Sequence, residues 1–248
     1  MGSTAAQKLK SKYKSGAPLT KLIKKRLPMR QGLSACPYCG LQKNVTADHY
    51  LPKAHFPQYS SFSQNLVPSC SDCQGSNAKG QWFPGYRDKR EPASTRGRSP
   101  LQRLWHPYFD RFLRYKVISA EFEPKTKLDD IRFFATGKDR THSKLVDFHL
   151  GKINLNREAL THVQAYWEAL ILSFTINPAK DLGALRTVVE GKMTDAYLEC
   201  RTYNGVEFVF YHAIYTSPRK LRFLFDISKA SKPPMNALLP KGKYYKNK

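Results

Sequence analysis

The sequence predicts an α+β fold: a small strand–strand–helix unit tied at both ends by cysteine pairs, joined to a mostly α-helical C-terminal region that contains a short β-hairpin. Three observations predict it. Two Cys-x2-Cys pairs, Cys36/Cys39 and Cys70/Cys73, bracket 30 residues that hold two short β-prone stretches. Tyr115 to Phe122 alternates apolar and polar side chains, and Ile131 to Ala135 follows the turn KTKLDD. From Thr141 onward apolar residues recur at helical spacing.

Taken in order, residues 1–30 form a basic arm with nine Lys or Arg and no acid. Within it Leu19, Leu22, Ile23 and Leu27 have helical spacing behind Thr20 as an N-cap. The arm either packs one apolar face on the domain or follows a phosphate backbone. Residues 31–83 are the cysteine-bearing core. Residues 84–100 carry three Pro and no apolar periodicity, which reads as a basic linker or loop. Residues 101–240 contain the hairpin and then helices over Thr141 to Leu150, Asn156 to Phe174 and Ala179 to Tyr197, the last interrupted near Gly191. Asn156 has the composition of an N-cap, and Pro178 and Gly183 act as local breakers. VEFVFYHAIYTS suits a strand or a buried helix equally, and Leu221 to Ile227 continues a terminal helix. Residues 241–248 are a basic tail.

The chain carries 42 Lys plus Arg against 19 Asp plus Glu, a net charge of +23. That excess speeds capture of polyanions and points to nucleic acid as partner. Hydrophobic residues make up 41%, enough for a packed core. No apolar run approaches the roughly 20 residues of a membrane span, and the N-terminus lacks a signal-peptide pattern, so no membrane partner is expected. With no secretion signal, five cysteines argue against a disulfide scaffold.

Cys36, Cys39, Cys70 and Cys73 supply four thiolates, the ligand set of a closed structural zinc site. Two intervening residues let both sulfurs of a pair face one ion from a tight knuckle, which Pro37 and Gly40 favour. Cys200 stands apart in an amphipathic stretch as a small buried hydrophobe. Between the pairs, Val45 to Ala47 reads as a strand ending in Asp48-His49. Adjacent residues on a strand point to opposite faces, so these two serve one site only at a strand end or twisted turn. Asn65 precedes the second strand, Leu66-Val67. A helix then starts at the second knuckle and carries Gln74, Asn77 and Lys79. His106 lies among large apolar residues, where packing is the default role. His142, His149, His162 and His212 fall singly in helices as hydrogen-bonded surface or core residues.

The residues CPYCG, DHYLPK, NLVPSC and DCQGSNAKG, spread over about 45 positions, resemble the HNH or ββα-metal endonuclease family with four-cysteine zinc knuckles. The wording is also similar to nuclease effectors of bacterial anti-phage defence, of the Septu and retron-associated type. The resemblance implies a metal-dependent endonuclease that hydrolyses phosphodiester bonds, with DNA favoured and RNA or tRNA the other substrate. It implies that His49 is the general base, that Asp48 ligates a catalytic Mg2+ or Mn2+, and that Asn65 holds the intervening loop. The family's last position, normally His or Asn after the final knuckle cysteine, is Gln74 here. Gln74 is favoured by register as the second metal ligand, with Asn77 one helical turn later as the alternative. Lys53 and Lys79 are the local candidates for phosphate contacts, and either can equally be solvated. An ATPase or other defence-complex partner and a bacterial cytoplasmic location follow from the same resemblance. The rival readings are a catalytically silent zinc-stabilised nucleic-acid-binding module and a subunit that docks an acidic partner.

Overall fold

One antiparallel strand pair packs with a short helix, and a second antiparallel hairpin packs against longer helices. The computed structural model describes residues 7, 8, 11, 35–74, 101–137 and 139–230. The basic arm over 12–30, the linker over 84–100, the tail over 241–248, Asn77 and Lys79 lie outside the described residues. Among the described residues no helix is long and apolar enough to cross a membrane.

Strand β1 (Val45–His49) pairs with β2 (Leu66–Cys70) in the register Val45↔Cys70 to His49↔Leu66. All five residues of β2 are buried. The second strand therefore runs three residues beyond Leu66-Val67, into the cysteine knuckle. Pro68 in its middle has no N–H to donate, which a two-stranded pair tolerates. A helix, α1 (Ser71–Gln74), starts directly at the second cysteine pair. Short 3-10 turns at Pro57–Tyr59 and Ser63–Asn65 shape the loop between β1 and β2.

The second hairpin consists of β3 (Ile118–Glu121) and β4 (Arg132–Ala135). Helices α2 (Arg140–Lys152), α3 (Leu155–Ile176), α4 (Leu182–Cys200), α5 (Val206–Tyr215) and α6 (Pro218–Lys229) follow. Three begin on side-chain caps: Asp139 accepts from the amides of Thr141 and His142, Asp181 from Ala184, and Ser217 from Lys220. Helix α4 runs through Gly191 without interruption. Its end is set by Arg201, in the left-handed conformation at φ 54°.

Asn156 is not the N-cap of α3. That position is Asn154, at φ 52°, while Asn156 lies inside the first turn and its Oδ1 accepts the Phe133 amide at 2.8 Å. Its side chain is thus spent tying β4 to the helix. VEFVFYHAIY forms α5, buried along most of its length at Val206, Phe208, Val209, Phe210, Tyr211, Ala213 and Ile214. Phe210 meets Phe122 in a stacked pair at 5.4 Å and Trp167 edge-on at 6.3 Å. Rings of this size dominate the apolar energy of such a core.

One hydrophobic core runs from the knuckle residues Tyr38 and Leu41 through to Trp167 and Leu224. The knuckle is also tied by hydrogen bonds. Trp105 Nε1 donates to the Pro37 carbonyl at 2.9 Å, and His149 Nε2 lies 2.8 Å from the Tyr38 carbonyl. Gly40 sits at φ +66°, and the Val206 amide donates to its carbonyl at 3.1 Å. A Cβ there would fall 2.8 Å from the Asn204 carbonyl oxygen, so only glycine fits both the turn and the close approach.

Candidate functional site

The four knuckle cysteines converge. Cys36, Cys39, Cys70 and Cys73 are all buried, and their sulfurs lie within 4.8 Å of one another. Sulfurs held about 2.3 Å from one ion at tetrahedral angles stand about 3.8 Å apart. Cys39 and Cys70 are separated by that distance, 3.8 Å. The Cys70 amide points at the Cys36 sulfur, 3.4 Å away, a donor that favours thiolate. Hydrogen bonds among the four sulfurs push the Cys36 thiol down and the Cys39 and Cys73 thiols up. Four thiolates together in a dry site would require a cation, and an all-sulfur tetrahedral set suits zinc. The cluster can therefore hold a structural metal such as zinc.

The clamp around this cluster includes residues that the sequence left as ordinary core. His149 is fully buried, stacked on Trp105 with centroids 3.5 Å apart. The Trp105 amide donates to its Nδ1, so Nε2 carries the hydrogen given to Tyr38. Burial pushes its pKa down to about 3 and keeps the ring neutral. Only the three-dimensional meeting of positions 111 residues apart reveals this role.

His49 ends β1 and is 7% exposed. Its Nε2 lies 2.9 Å from the Ser60 carbonyl oxygen. A carbonyl only accepts, so Nε2 bears the hydrogen and the neutral ring has its lone pair on Nδ1. Ser60 is itself fixed, its hydroxyl donating to the Pro57 carbonyl at 2.6 Å. Asn65 is buried and fastens both sides of the same loop. Its Oδ1 accepts the Leu51 amide at 2.7 Å, and its Nδ2 donates to the carbonyls of Leu51 (3.2 Å) and Tyr59 (3.1 Å). These contacts tie Leu51 to Tyr59 across the loop that follows β1.

Asp48 is half-buried, and its Oδ1 accepts the His49 amide at 2.8 Å. β1 stops at His49, and the Asp48 carboxylate turns toward the His49 backbone. Thr46 and Asp48, two apart, share one face of β1. Gln74 reaches that strand at Thr46. Its Nε2 donates to Thr46 Oγ1 at 2.8 Å and to the Ser69 carbonyl at 2.6 Å, clamping a cross-strand pair. Thr46 itself lies one strand repeat, about 7 Å, from Asp48 along β1. Lys53 is half-buried in the loop after β1. Near the knuckle, Lys43, just before β1, pairs with Asp72 of α1 at 2.7 Å.

No family model matches the chain, and no solved structure matches it. Among curated proteins it is similar to Protein ea31 of Escherichia phage lambda, at 36% identity over 90 residues. The match takes in 35% of this chain and 26% of the phage protein, so the chain spans about a quarter of the length of that relative.

Proposed function

We propose that the chain is a metal-dependent endonuclease of the HNH, or ββα-metal, type, hydrolysing phosphodiester bonds. The single observation that carries the reading is the strand–loop–strand unit in which Asn65 pins the loop and the Ser60 carbonyl orients His49. A histidine held by one ring nitrogen presents the other as a base of fixed direction. His49 Nδ1 takes the proton of the attacking water as the new phosphorus–oxygen bond forms and the bond to the 3′-oxygen breaks, the 3′-oxygen leaving with a proton from solvent.

Asp48 and Gln74 offer carboxylate and amide oxygens, a hard donor set suited to Mg2+ or Mn2+. When bound, such an ion supplies charge neutralisation at the scissile phosphate and at the leaving 3′-oxygen. The net charge of +23 supports a nucleic-acid substrate, and DNA is favoured over RNA or tRNA. The bacterial defence role, and the ATPase partner it would bring, rest on the resemblance alone.

One observation favours the silent binding module. Gln74 stands where the family places His or Asn, and its amide nitrogen is committed to Thr46 and Ser69 as a strut. The test is a panel of labelled DNA and RNA with zinc-loaded protein, Mg2+ or Mn2+, and Asp48→Ala beside the wild type. Cleavage by the wild type and none by Asp48→Ala, at equal zinc content, supports the nuclease. Equal inertness of both, with intact binding, supports the module.

A further inference from the structure

We propose that the cleft between the β1–β2 loop and the 103–110 segment is a stacking pocket for an unpaired nucleobase, which makes the substrate single-stranded or locally unpaired nucleic acid. The proposal rests on the endonuclease reading and names the substrate class of that same site. The cleft has a volume of about 480 Å3. That lies within the range of about 300–1,000 Å3 of small-ligand sites.

Its walls are aromatic. Tyr59, Phe62 and Phe109 are 41%, 49% and 56% exposed, and all three line this one cleft. Large apolar side chains at such exposure are unfavourable in water unless something covers them. Tyr50 and His106 complete the walls, with ring centroids 4.2 Å apart. His106 is rigidly set: its Nδ1 accepts the Tyr108 amide, and its ring packs 4.5 Å from Phe109. Arg103 in the wall is neutralised by two bonds to Asp110 at 2.6 and 2.7 Å, so it does not make the cleft a simple anion site. Gln64, exposed at the rim, offers an amide donor and acceptor to a base edge.

Three features select a base over an aliphatic or peptide occupant. The large exposed side chains of the lining, Tyr59, Phe62 and Phe109, present π-faces, with which bases stack irrespective of sequence. The chain's charge of +23 draws polyanions. Tyr59 and Phe62 flank Ser60, whose carbonyl holds His49, so one loop walls the cleft and orients the proposed base catalyst. A paired base has both faces covered by its neighbours, so entry requires an unstacked nucleotide.

The experiment uses the full chain carrying His49→Ala, zinc-loaded, at about 150 mM salt, where non-specific charge attraction is damped. Fluorescence anisotropy measures binding of a mixed-sequence single-stranded oligonucleotide and of its blunt duplex. Phe62→Ala and Phe109→Ala are expected to weaken single-strand binding about tenfold each, with duplex binding within twofold. Phe62→Leu, which keeps the bulk and loses the π-face, follows Phe62→Ala, while Phe62→Trp binds as well as the parent. Melting curves establish that each variant is folded. Unchanged single-strand binding in the alanine variants, or an equal loss for duplex and single strand, overturns the pocket and leaves the aromatic surface to a protein partner. Because binding is read without cleavage, the pocket stands or falls independently of nuclease activity: cleavage without aromatic dependence sinks only the pocket, and aromatic-dependent binding without cleavage sinks only the nuclease.

Discussion

His49 and Ser60, 11 residues apart in sequence, meet through the imidazole Nε2 and a backbone carbonyl oxygen at 2.9 Å. The bond fixes the tautomer of a histidine at the end of β1, and the loop that supplies the carbonyl is held in turn by Asn65. Asn65 thereby supports the orientation of His49 through the loop it pins.

Asn65→Ala is expected to remove three hydrogen bonds and leave the Leu51 amide without its 2.7 Å acceptor. A buried donor left unmade costs about 1–3 kcal/mol. If cleavage follows the proposed course, freeing the loop should also lower its rate about a hundredfold, as misplacement by about 1 Å does. Thermal melts and plasmid nicking read the two effects separately, and zinc content should not change.

Cys36→Ala or Cys73→Ala is expected to unfold the knuckle and the core attached to it. Structural zinc contributes about 10–16 kcal/mol in small metal-folded units, as much as the whole stability of a typical domain. Cys200→Ala, equally buried but outside the cluster, should keep full zinc content. Metal analysis and circular dichroism of the three variants check this. A folded Cys36→Ala protein with wild-type zinc would contradict the assignment.

Gln74 separates two roles. Gln74→Leu removes the donor to Thr46 and Ser69 and should lower stability by about 1 kcal/mol. As a metal ligand, it should also raise the Mg2+ concentration needed for half-maximal cleavage at least tenfold, one lost ligand being worth about 1.4 kcal/mol or more. Gln74→His, the family residue, is expected to restore the Mg2+ response. A Gln74→Leu protein with an unaltered Mg2+ titration leaves Gln74 as a strut alone.

Acid should weaken the attachment of the knuckle. Burial holds His149 down to about 3 and His106 down to about 4, both below the ordinary 6.5 of an unfolded histidine. The unfolded chain then binds more protons than the folded one, so stability falls as pH drops from about 6.5 toward those values. Melting temperatures between pH 7 and pH 5, at constant zinc content, should decline in the wild type and decline less in His149→Gln.

The cysteine cluster was legible because two-residue spacing is itself a geometric instruction. Helix α5 was not, because a segment apolar on nearly every side has no period to separate helix from strand. Asn156 was misread because its side chain serves β4, a partner 23 residues away, instead of its own helix terminus. His149 was read as an ordinary hydrogen-bonded surface or core histidine and Trp105 was given no role, and their part in holding the knuckle emerges only from pairings 111 and 68 residues long. The cleft lined by Tyr59, Phe62 and Phe109 likewise exists only where two distant segments come together.

The central claim is that His49 acts as the base of a phosphodiester hydrolysis, and its most direct measurement is single-turnover cleavage of a labelled single-stranded DNA by zinc-loaded protein with Mg2+ or Mn2+. The account predicts cutting by the wild type and loss of at least a hundredfold in His49→Ala at equal zinc content and melting temperature. A His49→Ala protein that cuts as fast as the wild type would contradict it.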